Sequence, residues 1–223
     1  MHTEDGYILN MFRLLPPGVE RAVDCSNCFK GEPVFFMHGI GSNAARWLNR
    51  DNSRINSMPI ALAKKGYDVW LGNARGTHMS NEHEKLDWIK DQREYWNYSF
   101  PEMALNDISA MIDTVFEETG GKRINYIGFS LGTTVIFYSL SDQKTLSQMR
   151  KQLGHVAALC PIMIPKLEEL SLTYSTYYAF NDLAVKNNIE NYMFGPGFDE
   201  RVSGLCELIS FIAGPEACKT ILE

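Results

Sequence analysis

Short apolar runs alternate with amphipathic stretches along most of this 223-residue chain. Four runs are continuous enough for strands buried on both faces of a sheet. They cover residues 33–37, 67–71, 124–129 and 155–160. Helical spacing predicts helices at 57–65, 101–119, after residue 130, and at 147–153. Because strands alternate with helices, the pattern predicts an α/β fold with a mostly parallel sheet and helices on both faces.

The two ends of the chain depart from this alternation. Residues 3–14 alternate around Asp5-Gly6, which is a hairpin turn signal. From residue 166 onwards aromatic residues are scattered among polar ones, and no further buried strand follows. We therefore predict a core at residues 1–165 and a separate, mainly helical appendage at residues 166–223.

The segment Gly128-Phe129-Ser130-Leu131-Gly132 joins an apolar strand directly to a helix-compatible run. A Gly-x-Ser-x-Gly turn in this context is the nucleophile elbow of α/β-hydrolases. The sharp turn places the serine in a strained backbone conformation, and only glycine fits at the flanking positions. Ser130 is therefore the predicted nucleophile, and the alternative is a serine in an ordinary surface loop.

An acyl-transfer site also needs two backbone N–H groups directed at the developing negative charge. One comes from the residue after the nucleophile, here Leu131, and the other from the turn after an earlier strand. In His38-Gly39-Ile40-Gly41, Ile40 occupies this second position. The sequence thus predicts an oxyanion hole made by the N–H groups of Ile40 and Leu131, with no metal and no cofactor.

Several stretches resemble the acid lipase family of α/β-hydrolases, which includes gastric and lysosomal acid lipases and insect homologues. The resemblance spans residues 3 to about 160 and is carried by Thr-Glu-Asp-Gly-Tyr-Ile-Leu at residue 3, His-Gly-Ile at 38, Gly-Tyr-Asp-Val-Trp-Leu-Gly-Asn-x-Arg-Gly at 66, Glu-Tyr-Trp-Asn-Tyr-Ser-Phe-x-Glu-Met-Ala at 94, and the elbow. It implies hydrolysis of neutral lipid esters (triacylglycerols or sterol esters) at a lipid–water interface, and a secreted or lysosomal location. It also implies that residues 166–223 begin a helical cap.

The elbow differs from the family's usual Gly-His-Ser-Gln-Gly at two positions, Phe129 and Leu131. The oxyanion donor at residue 131 is a backbone N–H, so leucine in place of glutamine does not remove it. Leu131 does place an apolar side chain beside the nucleophile. We expect Phe129 to alter packing more than chemistry.

The remaining triad members have no counterpart in the sequence. In this fold the acid and the base follow the nucleophile along the chain, but the only later histidine is His155, at the start of a strand. His38 belongs to the oxyanion turn, and His78 and His83 lie in a polar loop. The resemblance therefore implies a fold that is incomplete on its C-terminal side. The chain is interpreted either as a fragment of a longer lipase or as a non-catalytic remnant that binds lipid or a protein partner. An esterase with other substrates, such as short-chain esters, is a third alternative.

Composition limits the other functions. A net charge of −6 provides no basic patch for nucleic acid. No apolar stretch reaches the roughly 20 residues of a membrane span, and no signal peptide is expected at the polar N-terminus.

Asn97-Tyr98-Ser99 is an N-glycosylation sequon. Cys206 and Cys218 are disulfide candidates, a Cys-x-x-Cys at residue 25 is a weak metal signal, and Cys160 is predicted to be buried. Leu205, Leu208, Ile209, Phe211 and Ile212 have helical spacing that suits either a lipid-facing cap or packing onto the core.

Overall fold

The computed structural model describes residues 1–19, 29, 31–48 and 57–162. The strands are β1 (Tyr7–Ile8), β2 (Met11–Leu14), β3 (Pro33–Met37), β4 (Asp68–Gly72), β5 (Glu82–His83), β6 (Ile124–Phe129) and β7 (Leu153–Leu159). The helices are α1 (Met58–Lys64), α2 (Gln92–Tyr95), α3 (Phe100–Glu102), α4 (Ser109–Glu118), α5 (Leu131–Ser141) and α6 (Gln143–Gln152). A 3-10 turn covers Ala44–Leu48, and a π-helical segment, Met103–Ile108, joins α3 to α4.

Within the described residues, the main sheet has five strands in the order β2-β4-β3-β6-β7. Strands β4, β3, β6 and β7 are parallel, and β2 is antiparallel to β4 at one edge. The prediction of an α/β fold with a mostly parallel sheet is therefore confirmed. Among the described strands β7 forms the other edge.

Strands β3 and β4 are buried at every position, so both faces of the sheet are covered there, as continuous apolar strands require. The run at 155–160, predicted to be buried on both faces, is instead exposed or half-buried in β7, because β7 is an edge of the described sheet. Successive side chains of a strand point to opposite faces. Val34 and Phe36 accordingly pack in one cluster with Ala63 of α1. Phe35 lies in the other cluster, with Met111 of α4 among others.

The hairpin prediction for the N-terminal segment is only partly correct. Gly6 has a positive φ of 94°, and His2 forms an antiparallel bridge with Ile8 across the turn. However, β1 pairs mainly with β5, and β2 joins the main sheet. The segment after β4, where His78 and His83 were predicted to lie in a polar loop, contains β5 and, further on, α2. Both depend on contacts distant in sequence, which local patterns do not record.

Met1–Lys166 form one compact unit. The predicted cap at residues 166–223 lies outside the described residues and stays a prediction, as do its apolar set and the proposed pairing of Cys206 with Cys218. Cys160, predicted to be buried, is exposed, because it follows the last residue of β7 and leaves the sheet with a φ of 47°. In the described part of the chain, no helix has the length and apolar character needed to cross a bilayer.

Candidate active site

Ser130 lies at the carboxyl end of the sheet, between the last residue of β6 and the first residue of α5. Its φ of 49° and ψ of −112° place a non-glycine residue in a sparsely populated conformation. Ligands of open α/β sheets bind beyond this edge. The strained turn is the geometry that the Gly-x-Ser-x-Gly pattern predicts.

The two glycines of the elbow are required by close backbone contacts. A Cβ added at Gly132 would lie 2.5 Å from the carbonyl oxygen of Met37 in β3. A Cβ at Gly128 would lie 2.7 Å from the carbonyl carbon of Gly132. Helix α5 can therefore begin directly above β3 and β6 only because both side chains are absent.

The turn after β3 packs against the elbow. A Cβ at Gly39 would lie 3.2 Å from the Cβ of Ser130 and 2.9 Å from Cδ1 of Phe129. Ile40 follows Gly39 in this turn. Leu131 is the first residue of α5, a position whose N–H has no acceptor within the helix. The structure thus brings together the segments that carry Ser130, Ile40 and Leu131.

Two threonines of α5 attach the segment after β7 to the same edge. Thr133 Oγ1 accepts a hydrogen bond from the N–H of Ile162 at 3.0 Å, and Thr134 Oγ1 donates to its carbonyl oxygen at 2.7 Å. The N–H of Ser130 donates to the carbonyl oxygen of Leu159 at 3.0 Å. The chain beyond β7 is therefore held beside the first turn of α5.

His38 is buried and links the ends of β3 and β4. Its Nε2 accepts a hydrogen bond from the backbone N–H of Ala74 at 3.1 Å. Nδ1 therefore carries the ring proton and donates to the carbonyl oxygen of Gly39 at 2.8 Å. Burial lowers the pKa of His38 to about 4, so the ring is neutral over most of the pH range. Both nitrogens are occupied, and His38 supports the turn that carries Ile40.

The other histidines lie away from Ser130. His155 is the third residue of β7, and its Nδ1 lies 3.0 Å from Oδ1 of Asn125. Since Phe129 pairs with Leu159, His155 lies roughly 15 Å back along the strand from the level of Ser130. His83 belongs to β5, and its Nε2 lies 3.0 Å from the carbonyl oxygen of Asp5. None of the chain's histidines, all of which are described, forms a hydrogen bond with the Ser130 hydroxyl.

The side chains that flank Ser130 differ from expectation. Leu131 is only 7% exposed and packs in the core, so it does not line the surface at the nucleophile. Phe129 is 42% exposed, so it remains accessible as well as contacting the Gly39 turn. Leu131, the first residue of α5, packs in the core cluster, whereas Phe129, the last residue of β6, is exposed.

The Gly-Asn-x-Arg-Gly stretch after β4 forms a buried ion cluster. Arg75 Nε donates to Oδ1 of Asp107 at 2.8 Å, and Arg75 Nη1 donates to Oδ2 of Asp5 at 2.6 Å. The guanidinium lies 3.9 Å from the ring centroid of Tyr7. Burial raises the pKa of Asp107 to about 6, outweighing the attraction of the Arg75 guanidinium. Burial also lowers the pKa of Arg75, but the two carboxylates reverse this effect and hold the pKa above its ordinary value.

Sequence reasoning missed Asp107, although the spacing carried a signal. Met103, Asp107 and Met111 recur every four residues and share a helix face, so a charged residue falls within the apolar stripe. Such a buried charge needs a partner. The partner, Arg75, is distant in sequence, and its identity emerges only from the fold.

The predicted glycosylation, disulfide and metal positions lie away from the elbow in sequence. Asn97 is exposed in the loop after α2, which is compatible with the sequon. The disulfide candidates and the Cys-x-x-Cys at residue 25 lie outside the described residues. Within the described ranges no group of three or more histidine, cysteine or acidic side chains is placed to hold a metal ion.

Comparisons with known proteins agree with this geometry. The family described as "alpha/beta hydrolase fold" matches residues 32–174, and the family described as "partial alpha/beta-hydrolase lipase region" matches residues 1–51. The chain belongs to the α/β-hydrolase family.

Two relatives and one solved structure illustrate the match. Gastric triacylglycerol lipase of Bos taurus is 35% identical over 97% of this chain and 49% of its own length. Triacylglycerol lipase 2 of Arabidopsis thaliana is 40% identical over 72% of this chain and 36% of its own length. A probable hydrolytic enzyme from Pseudomonas aeruginosa is 19% identical with a TM-score of 0.45, over 74% of this chain and 43% of that one. The resemblance to acid lipases is confirmed, and the chain spans half or less of the length of these lipases.

Proposed function

We propose that this α/β-hydrolase hydrolyses carboxylic esters of neutral lipids, with Ser130 as the nucleophile. The observation that carries the proposal is the strained Ser130 turn, against which the Gly39 turn is packed. The names of the relatives, which are triacylglycerol lipases, supply the substrate class.

In the proposed reaction the Ser130 hydroxyl oxygen attacks the ester carbonyl. The alcohol leaves, an acyl-Ser130 intermediate forms, and water then hydrolyses it. The N–H groups of Ile40 and Leu131 donate to the carbonyl oxygen as it becomes negatively charged. These donors are backbone groups, so the apolar residue at 131 is compatible with the role.

The general base and its orienting acid are proposed to come from sequence other than these 223 residues. No histidine of the chain is hydrogen-bonded to Ser130, and both nitrogens of His38 have other partners. Loss of the base from such a triad lowers kcat by about 10⁶-fold. We therefore expect the 223-residue chain alone to have no appreciable esterase activity.

This proposal is tested with p-nitrophenyl esters in two proteins. The 223-residue chain is expected to show no turnover above background. Measurable turnover that Ser130→Ala abolishes would show instead that this chain is an active esterase. The product of the full transcript, if it encodes an aspartate and a histidine in further βα units, is expected to hydrolyse the esters. There Ser130→Ala is expected to lower kcat by at least about 10³-fold. Equal activity of wild type and variant would reject Ser130 as the nucleophile.

A second function is favoured by the absence of a histidine at Ser130. A transcript that ends at residue 223 would leave a protein that binds lipid or a protein partner without turnover. Transcript sequencing separates the two proposals, because it shows whether the acid and the base are encoded.

The compartment is a further proposal. Relatives named as gastric lipases and the exposed Asn97 side chain support passage through the secretory pathway, to the cell exterior or the lysosome. Treatment of the natural protein with a glycosidase specific for N-linked glycans tests it. A mass decrease that Asn97→Gln removes is the expected result, and an unmodified Asn97 would argue against the proposal.

A further inference from the structure

Three segments that meet at the elbow each carry an exposed apolar side chain. Phe129 is 42% exposed, Ile40 is 48% exposed and Ile162 is 43% exposed. Each belongs to a different segment at the carboxyl edge of the sheet: the end of β6, the turn after β3 and the segment after β7. We call these three residues the apolar rim.

The rim is attached to the elbow by specific contacts. The Phe129 ring lies directly against Gly39, the residue before Ile40. Ile162 is held by hydrogen bonds to the hydroxyl groups of Thr133 and Thr134, three and four residues after Ser130. The three segments that carry these side chains are therefore held beside the elbow by the contacts that assemble it.

The segments that carry the rim contain no charged side chain. Residues 33–45, 124–141 and 153–162 include no lysine, arginine, aspartate or glutamate. Burial of His38, with its pKa lowered to about 4, leaves that ring neutral as well. A ligand here meets apolar surface and backbone dipoles, which suits an uncharged aliphatic group and disfavours a charged one.

We propose that Phe129 is a specificity-determining residue, whose ring, together with Ile40 and Ile162, forms the surface that binds the aliphatic acyl chain of an ester at Ser130. The inference rests on the proposed function for the position of the ester group. The inference goes beyond the proposed function, because it assigns the preference for long acyl chains to Phe129, a residue of the elbow itself. Each methylene of the acyl chain that contacts the rim leaves water and contributes to binding.

The test measures binding, so that the chemistry of the triad does not influence it. The 223-residue chain carrying Ser130→Ala is titrated calorimetrically with monobutyrylglycerol and with monooctanoylglycerol below its micelle concentration. We expect the octanoyl ligand to bind about tenfold more tightly, because its additional methylenes are partly buried. Phe129→Ala in this background is expected to reduce the preference to about twofold.

Phe12 provides a matched control. It is 44% exposed, similar to Phe129, but it lies in the edge strand β2, which β4 and β3 separate from β6. Phe12→Ala should keep the tenfold preference, and Phe129→Leu should keep most of it. If Phe129→Ala unfolds the protein, as judged by circular dichroism, Ile40→Ala replaces it, since it retains the backbone N–H and is expected to lower the same preference.

The outcomes separate this inference from the proposed function. A chain-length preference that is absent, or unchanged in Phe129→Ala, overturns the inference even if the full transcript product is an active esterase. A preference that depends on Phe129 supports it even if no esterase activity is found. A loss of the chain-length preference in Phe12→Ala as large as that in Phe129→Ala would also overturn the inference, because such a result would show non-specific binding to exposed aromatic rings.

Discussion

The elbow region and the Arg75 cluster both follow strands of the same sheet, but they treat polar groups in opposite ways. Around Ser130 the polar groups are backbone dipoles and hydroxyls, the flanking segments are uncharged, and Phe129 is exposed. Around Arg75 full charges are buried and paired, with Asp107 and Arg75 side chains inaccessible to solvent. The comparison contrasts an uncharged region with an exposed aromatic ring, held together by backbone and hydroxyl hydrogen bonds, with a region whose buried charges satisfy one another.

The largest expected effect is on the Arg75 cluster. Asp107→Ala removes the fully buried carboxylate partner of Arg75 and leaves the buried guanidinium with the partly exposed Asp5 carboxylate. We expect the free energy of unfolding to fall by about 3–5 kcal/mol, measured by urea denaturation. Lys90→Ala, which breaks an exposed pair with Asp87, is the control and should leave the stability unchanged within error.

A double variant sharpens the same point. Arg75→Met combined with Asp107→Leu removes both charges, so it should be less destabilising than the sum of the single changes. Simple additivity would mean that the two charges do not interact, and the description of the cluster would be wrong.

The next effect concerns pH and the elbow region. His38 is neutral in the folded protein down to about pH 4, whereas an unfolded histidine takes up a proton below about 6.5. The unfolded state therefore binds more protons in this window, and stability falls as the pH is lowered through it. Across this window the protonation of His38 lowers the free energy of unfolding by about 3 kcal/mol. Asp107 contributes in the opposite direction, because its raised pKa makes the folded state bind the extra proton between about pH 4 and 6.

The His38→Gln variant isolates the contribution of the histidine. Both proteins retain Asp107, so its contribution cancels in the difference between their unfolding free energies. The variant is expected to be less stable than the wild type at pH 7, and this difference should shrink by about 3 kcal/mol between pH 6.5 and pH 4. A difference that does not change with pH would show that His38 has the same pKa in the folded and unfolded states.

The smallest effect tests the close packing of the elbow. A glycine-to-alanine change within a helix ordinarily stabilises it by about 1 kcal/mol. Gly132→Ala should instead destabilise the protein by about 1–3 kcal/mol, because the new Cβ meets the Met37 carbonyl oxygen at 2.5 Å. Thermal unfolding measures the change, and Ser141→Ala in the same helix, at an exposed position, is the control. Stabilisation by Gly132→Ala would show that α5 can move away from β3 at little cost.

The strands and the elbow were predictable from local pattern alone. The predicted runs at 33–37 and 124–129 coincide with β3 and β6. Strand β3 is apolar and buried at every position, as a strand covered on both faces requires, whereas β6 includes Asn125 and exposes Phe129. The Gly-x-Ser-x-Gly spacing likewise indicates a turn in which only glycine avoids the neighbouring backbone. At β3, at β6 and at the elbow these predictions agree with the structure, whereas the run at 155–160, predicted to be buried, is mostly exposed or half-buried in β7.

Positions that depend on distant partners were not predictable in this way. The apolar pattern places Asp107 on a buried face without naming Arg75, and it assigns β1 to a local hairpin although β5 is its main partner. Leu131 and Phe129 are one residue away from Ser130 on either side, and their sequence does not reveal which of them is buried. Which of the two side chains is buried depends on where α5 lies over the sheet, because a side chain is removed from solvent only where another element packs against it.

The amino-acid order of this chain therefore specifies an α/β-hydrolase sheet, the strained serine turn and the uncharged character of its surroundings, because each follows from constraints within a few residues. The exposure of the Phe129 ring, the neutral state of His38 and the pairing of Arg75 with Asp107 were settled by the folded chain. They depend on removal from solvent and on groups brought together from segments distant in sequence, which a linear pattern does not encode.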